Sequence, residues 1–192
     1  MKTANIIELI GIFIIAAGWL ITYFTARLRD QKIEREKQKV KHLNEQLSKF
    51  YGPIYSILLE NDRIRKIVQE QIGRSAIFEA GGELTKSEFK IWSHYLENYL
   101  IPNNRQILNI MKNNFHLTTG YTFKQEYLKW IDYAIGYELQ HKQYLDIGKS
   151  YGFHSIYNFP IEFRTSIINT MSQLKMAQHK IVNIKLPSPY EK

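Results

Sequence analysis

The chain begins with an almost unbroken apolar stretch. Between Ile6 and Ala26 the only charge is Glu8, and there is no proline. As a helix these 21 residues span roughly 31 Å at about 1.5 Å each, close to the hydrocarbon thickness of a bilayer. The pattern predicts one transmembrane helix over residues 6–26, after a short outer N-terminus, residues 1–5. Glu8 falls at the outer margin, and Tyr23 and Phe24 fall where interfacial aromatics gather. A cleaved signal peptide needs a basic lead and a small-x-small cleavage site. Here only Lys2 precedes the run, and a cut after Ala26 would put Phe24 where a small side chain is required. Gly11, Gly18 and Thr22 form a stripe of small residues through which two such helices can pack closely.

Beyond the span the pattern changes to heptads. Ile33, Val40, Leu47 and Ile54 recur every seven residues, and Leu43, Phe50, Ile57 and Ile64 take the complementary position, with Glu36 the polar exception. This is the signature of a coiled-coil-like seam, filled either by a second subunit or by other helices of the same chain. Early heptads are sparse and charged and later ones apolar, which favours a solvated stalk, residues 27–52, merging into an intramolecular bundle. Gly52-Pro53 predicts a kink or restart, since proline lacks the amide donor and its ring meets the carbonyl four residues back.

A helix from Pro53 to Ile72 should end at Gly73, ahead of a loop at Gly81-Gly82. Thr85-x-x-Glu88 is a capping box opening a helix to about Leu100, and Pro102 opens a shorter one through Asn113. Thr122-x-x-Gln125 opens a long helix to about Ile147, and Pro160 opens the last, to about Ile184. No segment alternates with period two and no internal repeat stands out. The expected fold is all-α: transmembrane helix, basic heptad stalk, a helical bundle over residues 53–185 and a short tail, residues 186–192.

Charge supplies orientation. The net charge is +8, and residues 27–49 alone carry eight Lys/Arg against four Asp/Glu. Arg27, Arg29, Lys32 and Arg35 follow the span at once, so the C-terminal domain is expected in the cytoplasm, with these side chains near anionic lipid headgroups. The basic residues are interleaved with acids instead of gathered with aromatics, which argues against nucleic acid as a partner. There is no cysteine, which removes disulfides, thiolate metal sites and cysteine nucleophiles.

Candidate chemistry is sparse. Glu138-Leu-Gln-His141 has the spacing that puts a carboxylate and an imidazole on one helix face, as in di-iron bundles, but that chemistry needs a second such motif and further glutamates. Glu138 and His141 are the best metal candidates, and neither a metal nor a cofactor is expected. The helix from Thr122 to Ile147 carries Phe123, Tyr127, Trp130, Tyr133, Tyr137 and Tyr144 on more than one face, read as a central bundle helix or as the lining of a ligand pocket. Residues 149–160, with Tyr151, Phe153, His154, Tyr157 and Phe159, read as a hydrophobic lid or a recognition loop. No nucleophile elbow or phosphate-binding glycine loop occurs.

At Leu47-Ser-Lys-Phe-Tyr-Gly-Pro-Ile-Tyr-Ser-Ile-Leu-Leu-Glu60 the chain resembles small bacterial membrane proteins in which one N-terminal span and a charged helix lead into a Tyr-Gly-Pro segment. The resemblance covers about residues 5–65 and implies a bacterial inner-membrane protein, some of the group looking like phage-defence components. The expected function is non-enzymatic: a membrane-anchored helical module acting through a protein partner or self-association, with the seam at Ile33, Val40, Leu43, Leu47, Phe50, Ile54 and Ile57. The alternatives are a membrane-disrupting effector and, less favoured, a metal- or ligand-dependent enzyme in the bundle.

Overall fold

The computed structural model describes residues 2–77, 84–119, 125–148 and 159–185, with the side chains of residues 2–10, Ile12 and 182–185 excepted. Every regular element among them is helical: α1 (Lys2–Gln46), α2 (Gly52–Ile72), α3 (Lys86–Tyr95), α4 (Ile101–Asn113), α5 (Gln125–Ile147) and α6 (Ile161–Lys185), with a 3₁₀ turn at Phe115–Leu117. The Gly81-Gly82 loop, the Thr122 cap, the stretch 149–158 and the tail 186–192 lie outside the described residues. The chain divides into two compact units, residues 1–42 and 43–192.

The first unit is helix α1 up to His42. It carries Phe13, Ile14, Ile15, Trp19, Leu20, Ile21, Tyr23, Phe24 and Leu28, all more than half exposed. Among the described residues no helix is long and apolar enough to cross a membrane. The side chains of Ile6, Ile7, Leu9, Ile10 and Ile12, which belong to the apolar stretch, are outside that description.

The second unit is a bundle. Helix α2 packs on α3, α4 and α6, and α5 packs on α4 and α6, so α2, α4, α5 and α6 close a ring of four. Inside the ring lies the main core, from Phe50, Tyr51, Ile54, Ile57 and Leu58 through Ile107 and Met111 to Tyr127, Trp130, Tyr133, Phe163, Ile167 and Leu174. Trp130 stacks on Phe163 with ring centroids 4.7 Å apart, and Arg65 lies over the Phe159 ring at 5.3 Å. Burying each such apolar side chain contributes roughly 1.5–3 kcal/mol. A smaller core of Ile64, Val68, Ile77, Trp92, Leu96 and Leu100 joins α3 to the far end of α2.

At both prolines expected to mark a kink or open a helix, an element boundary does fall, with α2 beginning at Gly52 and α4 at Ile101, and each join is a π-helical turn. Leu47–Tyr51 and Leu96–Leu100 are single π-helical turns, one before Gly52-Pro53 and the other before Ile101-Pro102. Backbone angles stay right-handed helical through Gln46, Tyr51, Gly52 and Ile101, so α1 continues into α2 and α3 into α4 without a restart. Proline leaves the carbonyl four residues back without a donor and crowds it. Widening the preceding turn, so that Gly52 N–H reaches Leu47 O and Ile101 N–H reaches Leu96 O, moves the backbone out of that conflict.

Tyr51 in the first of these turns and Gln46 just before it pin the chain after α4. Tyr51 OH accepts from Thr119 N–H at 3.1 Å, and Gln46 Nε2 donates to Leu117 O at 2.9 Å in a buried position. Elsewhere the expected punctuation is present. Thr85 Oγ1 accepts from Glu88 N–H while Glu88 accepts from Thr85 N–H, completing the capping box, and Gly73 closes α2 at φ 75°.

Candidate functional site

The residues singled out for chemistry in the sequence are drawn to different neighbours. Glu138 takes a bidentate ion pair from Arg105 of α4, its Oε2 accepting from Nε at 2.8 Å and its Oε1 from Nη2. That guanidinium holds the Glu138 carboxyl below the usual glutamate range, against a smaller opposing effect of burial. His141, one turn later, is buried, and its Nε2 lies 3.0 Å from Glu97 Oε1 in the second π-turn. Among the described residues no three His, Asp or Glu side chains come together as metal ligands.

The tyrosines of α5 are buried or half-buried. Tyr127 and Tyr133 are buried, and burial pushes both phenols up, in Tyr127 with the Tyr51 phenol beside it adding to the shift. Both therefore stay neutral at physiological pH and act as apolar bodies with a polar tip. This half of α5 is a wall of the core.

The opposite face of α5 is apolar and exposed. Leu128, Ile135 and Leu139 are each 42–54% exposed, and their spacing, with Ile131 between them, places them on one side of the helix. Against this face stand Leu108 and Met111 of α4 and Phe115 of the 3₁₀ turn that follows it, around a groove of about 500 Å³ lined by Leu108, Met111, Lys112, Phe115, Ile131 and Ile135. The Arg105–Glu138 pair bridges the same two helices toward one end. The sequence reading did not single out this groove.

The heptad seam separates along its length. Phe50, Ile54 and Ile57 are buried in the main core, with Leu43 and Leu47 packed on its edge, so this half is filled from within the chain. Ile33, in the first unit, is exposed, and Val40 is half-buried. Arg27, Arg29, Lys32 and Arg35 are exposed, and Arg29 approaches Asp30 at 3.9 Å. A Cβ placed on Gly11 or Gly18 meets no atom within 4 Å, and Thr22 Oγ1 donates to Gly18 O at 2.8 Å.

Two lowered carboxyls set the acid response. Glu88 is held down by its bond from the Thr85 backbone and then by Arg74, and Glu138 by Arg105. A carboxylate with a lowered folded pKa adds stability above its unfolded value and loses it as pH falls through the folded one. The thermal midpoint is therefore expected to be level near neutrality and to drop from about pH 4.5 downward. Circular dichroism against pH checks this, and Glu88→Gln together with Glu138→Gln should flatten the acid limb.

No protein-family model, no curated protein and no solved structure matches this chain. Its functional reading rests on its own residues.

Proposed function

We propose that the chain is a single-pass, membrane-anchored, non-enzymatic module whose helical bundle lies on the cytoplasmic side and acts through a protein partner or a second copy. The observation that carries the reading is the exposure of large apolar side chains on α1. Phe13, Ile14, Ile15, Trp19, Leu20, Ile21 and Phe24, at 100° per residue, surround the whole helix instead of forming one stripe. A docking groove would cover one side, whereas a bilayer covers all of them. Arg27, Arg29, Lys32 and Arg35 follow immediately and are exposed, as suits a cytoplasmic collar against anionic headgroups. Glu138 and His141, tied to separate partners, favour a non-enzymatic bundle.

The chain has no cysteine, so single cysteines report topology cleanly. Asn5→Cys in intact bacterial cells should react with a membrane-impermeant maleimide, while Ser48→Cys should react only after lysis. Reaction of both in intact cells, or release of the chain by alkaline carbonate, would remove the anchor from the proposal.

A second reading is a membrane-damaging effector of a bacterial defence system, favoured by the open space at Gly11 and Gly18 and by the likeness of the Tyr-Gly-Pro segment to small bacterial membrane proteins, some of which look like phage-defence components. Close packing of spans through this face needs small side chains. Gly18→Leu is then expected to abolish growth inhibition on overexpression, and unchanged inhibition would count against this reading.

A further inference from the structure

We infer that the α4–α5 groove is a binding site for a single-chain fatty acid, its alkyl chain held by the apolar walls and its carboxylate by Lys112. This goes beyond the anchored-module reading and depends on a different part of the chain. Five of the six lining side chains, Leu108, Met111, Phe115, Ile131 and Ile135, are apolar, and the sixth is Lys112. A volume of about 500 Å³ falls within the range of small-molecule sites, roughly 300–1,000 Å³.

Charge selects the ligand's head. Lys112 is exposed and has no ion-pair partner among the described residues. Helix α4 carries Arg105 and Lys112 and no acid, and Arg105 is already committed to Glu138. One cation on an otherwise apolar groove matches one anionic head on one apolar tail.

Shape selects a tail over a helix. As the chain runs from Arg105 of α4 to Phe115 of the following 3₁₀ turn, its partners on α5 run back from Glu138 to Ile131, and the bidentate pair spans the two helices at the Glu138 level. A peptide helix laid along the groove would meet that bridge. The apolar run short of it, from Ile131 to Glu138, is about 10 Å long at 1.5 Å per residue, which suits an alkyl chain of medium length.

The chain's four methionines make the test direct, because Met111 lines the groove and Met171 and Met176 lie on α6 as internal references. The full chain, labelled with methyl-¹³C methionine and held in phosphatidylcholine nanodiscs, is titrated with dodecanoate, with 1-dodecanol as the uncharged control. The expected result is saturable movement of the Met111 methyl alone, stronger with dodecanoate. Lys112→Gln should weaken dodecanoate about fivefold, the upper range for an exposed ion pair, and leave dodecanol unchanged. Ile135→Gln, at a half-exposed position, should weaken both. A Met111 signal that does not move, or moves together with Met171 and Met176, overturns the inference, as does equal affinity for the two compounds. Movement with protein concentration alone would assign the groove to a second copy and overturn it as well.

Discussion

Trp130→Ala is expected to lower the unfolding free energy of the bundle by roughly 3–5 kcal/mol, the cost of deleting a large aromatic side chain from a packed core. That is a large fraction of a typical total of roughly 5–15 kcal/mol. Trp130 is fully buried, stacks on Phe163 and makes edge contacts with Phe159, so its loss removes a shared neighbour from two aromatic rings at once. Its Nε1–H has no hydrogen-bond partner among the described residues. Trp130→Phe should therefore cost much less than alanine, because it deletes part of the ring together with a buried donor that already stands at a penalty of about 1–3 kcal/mol. Guanidinium melts followed by circular dichroism decide this. Equal losses for phenylalanine and alanine would mean that the indole N–H is satisfied.

Gly52→Ala tests the first π-turn through the sign of its effect. In an ordinary helix interior, glycine to alanine gains about 1 kcal/mol. Here a Cβ on Gly52 would sit 2.5 Å from the backbone oxygen of Leu47, and the obstacle is main chain that cannot rotate aside. A loss of about 1–3 kcal/mol is expected, in the range for overpacking. The second π-turn holds Ile101, with its Cβ, in the equivalent place before Pro102, so the obstruction belongs to the first turn and not to π-turns in general. A gain of stability in the alanine variant would show that the turn is not closed as described.

Local signals were the legible part of this fold. The Thr85–Glu88 box and Gly73 are punctuation whose physics is complete within a few residues, and both stand where the sequence put them. The lower seam was legible too, since Phe50, Ile54 and Ile57 are apolar at a repeat that suits internal packing. Proline marks the helix boundaries at Gly52 and Ile101, but its conflict with the carbonyl four residues back can be met by a kink, a restart or a wider turn, and proline alone does not say which. The clue was present: Leu47-x-x-Phe50-x-x-Pro53 recurs as Leu96-x-x-Tyr99-x-x-Pro102, and both copies form the same turn.

Long-range pairing was not legible. Glu138 and His141 share a helix face by spacing, yet Arg105 draws one and Glu97 the other, and neither partner can be chosen from sequence distance. The groove was hidden for a related reason. Apolar residues occur on both sides of α5, and nothing local says that the side with Trp130 and Ala134 is covered while the side with Ile135 and Leu139 is bare.

A π-turn holds one residue more than the α-turn it replaces, and one residue is about 100° of rotation. The backbone thus passes through Leu47–Tyr51 unbroken while its angular phase is reset, so Gln46 can reach Leu117 before the turn and Ile54 can enter the aromatic core after it. The same adjustment at Leu96–Leu100 lets Trp92 serve the small core and Ile107 the large one. At each π-turn the backbone runs on while the facing changes, and a proline marks the joint.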